Sequence, residues 1–184
     1  MNIFVLDADP VKAAQLQCDK HVVKMIVESA QMLSTAHRMI DGTLTNELSN
    51  NGRKVKRWVL NDDRENMLYK AVHMNHPCTV WTRSTSGNYN WHYSHFVALC
   101  DEYTHRYGKV HATDKLLRDA LAKTPQNITN HNATQFCLAM NSQPQCMIPD
   151  DPVQSYRMFY QTKQGRFSMV WTNRSKPEWF VRTI

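Results

Sequence analysis

The sequence predicts a mainly α-helical fold, a single-domain helical bundle with a short N-terminal extended segment and a loop-rich C-terminal third. Three observations predict it. Apolar residues recur every three or four positions after Asp19 and after Asn88, which is the period of an amphipathic helix. Residues 123–152 are rich in Asn, Gln and Pro, a composition typical of loops. No internal repeat or linker divides the 184 residues, a length that suits one domain.

The N-terminal segment is predicted to be extended and then helical. Residues 3–6 form a short apolar run, which indicates a buried strand or extended segment. Asp9 is a typical helix N-cap and Pro10 a typical first helical residue. A short helix is therefore expected to run to about Gln17.

The next segments are a long helix and a polar connection. The helix begins at Asp19 and is expected to stop near Asp41-Gly42. Residues 43–57 are polar, contain the turn-forming Asn50-Asn51-Gly52 and end in a basic run, so they are predicted to form a mobile loop. The remaining predicted helices cover residues 62–74 (ended by His76-Pro77), 88–107 (closed by Gly108), 114–121 and 152–160, with one helical turn at 136–140.

Composition limits the function classes. Lys and Arg number 22 against 16 Asp and Glu, a formal net charge of +6, which favours a polyanionic partner such as nucleic acid. Five glycines leave no room for a Walker or dinucleotide fingerprint, so no cofactor is predicted. The five cysteines form no CxxC pair and no run approaches 18 apolar residues. Both features favour a cytoplasmic protein without a membrane segment.

The long helix carries a polar stripe whose members recur at spacings of three and four and therefore share one face. Its members are His21, Lys24, Glu28, Gln31, Thr35 and Arg38. An ordinary solvated face is one interpretation. The other is the floor of a site for an anionic substrate, because Glu28 lies among hydrogen-bond donors and stays ionised, which suits stabilising a developing positive charge.

Two histidine pairs leave a metal-dependent hydrolase as a further alternative. His73 and His76, and likewise His92 and His95, are three residues apart, a spacing that can bind zinc. No HExxH motif or Cys/His quartet accompanies them. Packed core histidines are the favoured interpretation, and no metal site is predicted.

The C-terminal segment interleaves basic and aromatic side chains, which suits phosphate binding together with base stacking. Its members are Arg166, Phe167, Trp171, Arg174, Lys176, Trp179 and Phe180. An equally favoured alternative is that the tryptophans simply fix this segment to the core.

Several motifs together resemble a known family. With its CDKHVVKM-x2-ESAQ stretch, its NHPCTVW segment and its PEWF ending, the chain resembles small uncharacterised proteins of large tailed phages. More distantly, it is similar to the pyrimidine-dimer DNA glycosylase family of the phage endonuclease V type. The matching positions are Asp19, His21 and Glu28 at the family's acid, histidine and catalytic-glutamate spacing, then Glu102, Arg106 and Gly108 at a helix end, then Lys176–Phe180.

The resemblance implies an enzyme that cleaves an N-glycosidic bond in damaged or modified DNA. It gives Glu28 the role of catalytic carboxylate, with His21 and Gln31 as supporting residues. Duplex chemistry at C1′ requires a flipped nucleotide or a distorted duplex, so aromatic side chains are expected to stack on an extruded base. The expected DNA contacts are Lys24, Arg38, Arg174, Lys176, Trp171, Trp179 and Phe180.

The nucleophile of that family is the α-amine of a small residue exposed when the initiator Met is removed. An α-amine is partly unprotonated near neutral pH and can attack carbon. Position 2 here is Asn, after which Met is usually retained, so water is favoured as nucleophile, with Met1 and Lys24 as candidate amines.

The main alternative is a non-catalytic phage accessory protein in the host cytoplasm that binds nucleic acid or a host protein, with Glu28 in a structural role.

Overall fold

The computed structural model describes residues 1–49 and 51–182, and these are mainly α-helical, as the sequence predicts. The helices are α1 (Pro10–Gln15), α2 (Asp19–Asp41), α3 (Arg64–Met67), α4 (Pro77–Thr82), α5 (Ser86–Tyr107), α6 (Ala112–Leu117) and α7 (Pro152–Gln161). The strands are β1 (Thr43–Leu48) and β2 (Lys54–Val59), and short 3-10 turns cover Pro144–Cys146 and Thr162–Gly165. Within the described ranges, no helix has both the length and the apolar character that a bilayer crossing needs.

Helix α1 is capped as predicted. The Asp9 carboxylate accepts hydrogen bonds from the backbone N–H groups of Val11 and Lys12, and Pro10 occupies the first turn. The helix ends two residues before the predicted Gln17, whose buried side chain donates to the carbonyl of Ile3 instead. Residues 3–6 are buried but form no strand.

The long helices α2 and α5 pack against each other and support the core. Both were predicted from their apolar period, and the end of α2 at Asp41 is confirmed. Helix α5 begins two residues earlier than predicted. It ends before Gly108, whose φ of 63° is the left-handed conformation that glycine adopts readily after a helix.

The prediction of a mobile loop at residues 43–57 is wrong, because strands β1 and β2 form an antiparallel hairpin there. Thr43 lies opposite Val59, and Leu48 lies opposite Lys54. Thr43, Thr45, Val55 and Val59 are β-branched and therefore favour strands, although the segment as a whole is polar. Of the predicted turn, Asn50 lies outside the described residues, and Gly52 has a φ of 73°.

The prediction of a helix over residues 62–74 is also wrong, because only the single turn α3 forms. The carbonyls of Leu68 and Tyr69 accept hydrogen bonds from the side chain of Arg38. The backbone of Val72 pairs with the hydroxyl of Thr35. These contacts replace the i to i−4 bonds of a helix.

His76-Pro77 does not end a helix as predicted but begins α4. The imidazole of His76 accepts a hydrogen bond from the backbone N–H of Cys78, and Pro77 occupies the first turn. Proline suits a first turn because its missing N–H has no helical partner there.

The C-terminal third is largely irregular, as predicted, and α7 covers the predicted helix from Pro152. Helix α6 is shorter than predicted at its C-terminal end. No helical turn forms at residues 136–140, because the hydroxyl of Tyr156 bonds the carbonyl of Cys137 and the N–H of Ala139. The nearest helical segment is the 3-10 turn Pro144–Cys146.

Candidate active site

A pocket of about 280 Å³ opens over the N-terminal half of α2. Three parts of the chain line it. They are the N-terminal residues Met1, Asn2 and Phe4, the α2 residues His21, Lys24, Met25 and Glu28, and a later group of Ala139, Ser142, Phe159, Lys163, Arg166 and Phe167. Glu28 is the one carboxylate in this lining, which otherwise carries three cationic side chains and several aromatic rings.

The carboxylate of Glu28 is held at a defined position in this pocket. Its Oε2 accepts the backbone N–H of Asn2 at 3.0 Å and lies 3.6 Å from the α-amine of Met1. Its Oε1 lies 3.3 Å from Nζ of Lys24, one turn earlier on α2. The side chain is 14% exposed, so it is largely removed from water and still reachable from the pocket.

The N-terminal segment is fixed by the side chain of Asn2. Its Oδ1 accepts the N–H groups of Ile3 at 2.8 Å and Phe4 at 2.9 Å, and its Nδ2 donates to the carbonyl of Ala139 at 2.9 Å. These bonds hold Phe4 at a φ of 55°, an uncommon conformation for a residue with a side chain. The Met1 side chain is 3% exposed. The α-amine is therefore held in place by the buried side chain of Met1 and by the anchored residue Asn2 that follows it.

His21 forms part of the pocket wall. Its Nδ1 lies 2.7 Å from the hydroxyl of Tyr160, and its ring stacks on Phe4 with centroids 4.7 Å apart. Burial, with the charges of Lys24 and Lys163, lowers the pKa of His21 to about 4. The imidazole is therefore neutral near pH 7 and shapes the wall without carrying a charge.

Lys163 supplies a second amine to the pocket. It is 9% exposed, and its Nζ lies 3.4 Å above the ring centroid of Phe159. Burial, followed by the charge of Arg166, lowers the pKa of Lys163 to about 8. A fraction of this amine is therefore neutral near pH 7. No pattern in the sequence predicted a role for the amine of Lys163, although Phe159 and Lys163 are four residues apart, the spacing of one helix face.

An anchored carboxylate beside an amine, in a basic pocket with aromatic walls, is the arrangement expected from the family resemblance. The family model for pyrimidine dimer DNA glycosylase matches residues 1–116, more than half of the chain. The chain belongs to this family. Searches of curated proteins and of solved structures gave no match.

The glycosylase family match includes the N-terminal amine, His21 and Glu28 but not the whole pocket. It ends before α7, so Lys163, Arg166 and Phe167 come from the part of the chain beyond the matched residues. The resemblance predicted from the motifs to pyrimidine-dimer DNA glycosylases is confirmed. A phage origin stays a prediction.

The family-like residues Asp19, Glu102 and Arg106 form a structural ion cluster away from the pocket lining. Arg106 bonds Asp19 at 2.8 Å and Glu102 at 2.7 Å. Partial burial opposes ionisation of both carboxyl groups. At Asp19, hydrogen bonds from Thr172 and Arg106 outweigh this effect and lower the pKa of the carboxyl group. This cluster joins the start of α2 to α5 and to the C-terminal segment, and so positions α2.

The phosphate-binding role expected for Arg38 is wrong. Its side chain is fully buried, and its guanidinium donates five hydrogen bonds. The acceptors are the carbonyls of Trp58, Glu65, Leu68 and Tyr69 and the carboxylate of Glu65.

Of the other stripe residues, Gln31 is half-buried and outside the pocket lining, so the supporting role expected for it lacks a direct contact here.

Most C-terminal residues expected at DNA lie elsewhere. Trp171 and Phe180 are buried, and the indole N–H of Trp171 donates to the carbonyl of Leu16, so their role as stacking residues is wrong. Arg174 pairs with Glu102 at 2.8 Å. Lys176 is exposed and Trp179 half-buried, both outside the pocket lining. The alternative interpretation, in which the tryptophans fix this segment to the core, agrees better with their positions.

The histidine pair on α5 belongs to the core. His92 and His95 are fully buried. Nδ1 of His92 lies 2.7 Å from the hydroxyl of Thr82, and Nδ1 of His95 lies 3.0 Å from the carbonyl of Pro10. Across residues 1–49 and 51–182, no group of three His, Cys, Asp or Glu side chains is arranged to hold a metal ion.

Proposed function

We propose that this chain is a DNA glycosylase that cleaves the N-glycosidic bond of a damaged pyrimidine nucleotide in duplex DNA. The observation that carries the proposal is the α-amine of Met1, which lies 3.6 Å from Oε2 of Glu28 inside a basic, aromatic-lined pocket. The family name supplies the substrate class, a pyrimidine dimer.

Glu28 has the chemistry that this bond cleavage needs. As the bond between C1′ and the base breaks, positive charge develops on C1′ and the ring oxygen, as in other glycosidic cleavages. A fixed carboxylate stabilises that charge without having to reorganise during the reaction. Because the carboxylate of Glu28 is largely shielded from water, its effect on a nearby charge is stronger than it is in water.

The geometry favours the amine of Met1 over water as the nucleophile. In the proposed step, the neutral amine attacks C1′ while the electron pair of the C1′–N bond leaves with the base, which takes up a proton. Glu28 then takes a proton from the newly bonded amine and gives it to the ring oxygen as the bond between C1′ and that oxygen breaks. This opens the sugar ring and leaves a protonated imine between the amine and C1′. Lys163 is the alternative amine, since it faces the same pocket and is partly neutral.

The remaining pocket residues suit a nucleotide turned out of the duplex. Lys24 and Arg166 provide positive charge for the flanking phosphates. Phe159 and Phe167 present aromatic surface on which an extruded base can stack. The cationic and aromatic groups therefore serve binding, and Glu28 with the amine serves the reaction.

The test is the formation of an alkali-labile site, which marks a cleaved N-glycosidic bond, in a duplex that carries one cyclobutane pyrimidine dimer in a labelled strand. Under single-turnover conditions, we expect an alkali-labile site at the dimer and none in the undamaged duplex of the same sequence. An enzyme-free incubation corrects for spontaneous breakage. The proposal fails if the damaged duplex acquires no alkali-labile site while the protein binds it.

A further inference from the structure

The hairpin of β1 and β2 is a charged surface that the pocket chemistry does not use. Residues 43–59 contain four basic residues and one acidic residue, a net charge of +3 against +6 for the whole chain. Half of the net charge of the protein is therefore concentrated in this short segment.

The two faces of the hairpin differ. Residues directly opposite each other in an antiparallel ladder point to the same side. One side therefore carries the pairs Leu44–Trp58, Asn46–Lys56 and Leu48–Lys54. The opposite side carries the ion pair between Arg57 and Glu47.

The side with the two lysines is open and free of acid. Leu44 is 49% and Leu48 is 69% exposed, and both lysines are exposed. Among the described residues, neither Lys54 nor Lys56 forms a salt bridge. We call this set (Leu44, Asn46, Leu48, Lys54, Lys56 and Trp58) the open face.

The hairpin is attached along the same polar stripe of α2 that carries the candidate catalytic residue. The base of β2 is held by Arg38, which donates to the carbonyl of Trp58 at 3.1 Å. Arg38 is ten residues beyond Glu28, about 15 Å along the helix axis. At 3.4 Å per base pair, this separation along the helix axis equals the length of about four to five base pairs of duplex DNA.

We propose that the open face of this hairpin binds the DNA duplex that flanks the damaged nucleotide. A two-stranded ribbon fits the major groove of B-DNA. Lys54 and Lys56 would neutralise phosphates, and Leu44 and Leu48 would pack against sugars or thymine methyl groups. This inference rests on the proposed action on DNA, but it concerns binding and not the reaction.

The test compares two double variants of the full chain, each of which removes two exposed positive charges. The hairpin variant is Lys54→Gln with Lys56→Gln, and the matched control is Lys109→Gln with Lys115→Gln, at exposed positions outside the hairpin and the pocket lining. Binding to a 20-base-pair undamaged duplex is measured by fluorescence anisotropy at several salt concentrations, and thermal melting confirms that both variants are folded.

We expect the hairpin variant to bind about tenfold more weakly at 0.1 M salt, and its slope of log K against log salt to fall by about two. The control should keep the parent's affinity and slope. Equal affinity and slope for the hairpin variant and the parent would overturn the inference. If the hairpin variant loses affinity but the parent forms no alkali-labile site in a dimer-containing duplex, the hairpin inference stands and the proposed glycosylase function fails.

Discussion

The α-amine of Met1 and the backbone N–H of Asn2 converge on one oxygen of Glu28, at 3.6 Å and 3.0 Å. The sequence separation is 26 residues or more, so the folded chain has to bring the N-terminus onto the polar face of α2. In the proposed function, this places the nucleophile and the charge-stabilising carboxylate side by side before substrate binds, which would lower the entropic cost of the reaction.

Asn2 is expected to act as a positioning residue. In Asn2→Leu the bonds to Ile3, Phe4 and Ala139 are lost, and the amine is no longer held against Glu28. We expect the single-turnover rate of alkali-labile site formation to fall by about ten- to a hundredfold, with little change in DNA affinity. Asn90→Leu, at an exposed position of α5, serves as the control. An unchanged rate in Asn2→Leu would show that the amine needs no such anchoring.

The amine nucleophile can be identified by trapping. Sodium borohydride reduces an imine to a stable secondary amine, so the wild-type protein should become covalently joined to the damaged strand during reaction. Peptide mass mapping is expected to place the sugar on the α-amine of Met1. An adduct on Lys163 would transfer the role to that amine. Alkali-labile sites formed without any adduct would identify water as the nucleophile and contradict the amine step.

Buried neutral histidines should make stability depend on pH. Burial lowers the pKa of His21, His37 and His95 to about 4, against about 6.5 in the unfolded chain. Between these values the unfolded state binds more protons, so the free energy of unfolding must fall as pH falls from 6.5 towards 4. We expect about 2 kcal/mol per histidine between pH 7.5 and pH 5.

Urea unfolding at pH 7.5 and pH 5 measures this effect. The variant His37→Gln removes one such group and should show a smaller loss between the two pH values than the wild type does. An exposed histidine, replaced in His73→Gln, provides the comparison. The same free energy of unfolding at both pH values would contradict the assignment of these histidines as neutral core groups.

Arg38 is expected to matter for stability and not for DNA binding. Arg38→Met leaves several buried carbonyls without their donor and removes one partner of the Glu65 carboxylate, which keeps Lys70 and the N–H of Leu60, at a cost of about 3–5 kcal/mol. Urea unfolding checks this, with Arg182→Met at an exposed position as the control. DNA affinity, measured where the variant is still folded, should match the wild type. A stable Arg38→Met with weakened DNA binding would restore the original phosphate-binding prediction.

Periodicity was sufficient to predict the framework of the site. The long helices α2 and α5 and the residues His21, Lys24 and Glu28 follow from spacings of three and four, because a regular helix fixes which side chains share a face. The Asp9 cap and Gly108 likewise follow from local backbone chemistry. Family motifs then pointed to Glu28 among several polar residues of the same stripe.

Long-range contacts were not predictable in the same way. Arg38 continues the polar stripe of α2, yet it is buried because an irregular segment places its carbonyls around the guanidinium. Lys163 lines the same pocket as Glu28 only because α7 and the following turn pack over the N-terminus. The β1–β2 hairpin has the polar composition of a loop, and its strand pairing depends on cross-strand partners that no local pattern specifies.

The most direct test of the account is the single-turnover rate at which Glu28→Gln forms an alkali-labile site in a dimer-containing duplex. The amide keeps the size of the side chain but cannot stabilise a cation at C1′. We predict a rate about a thousandfold below wild type or lower, with a DNA dissociation constant within about threefold, and Glu178→Gln, at an exposed position, as active as wild type. A rate for Glu28→Gln within about twofold of wild type would contradict the catalytic role of Glu28.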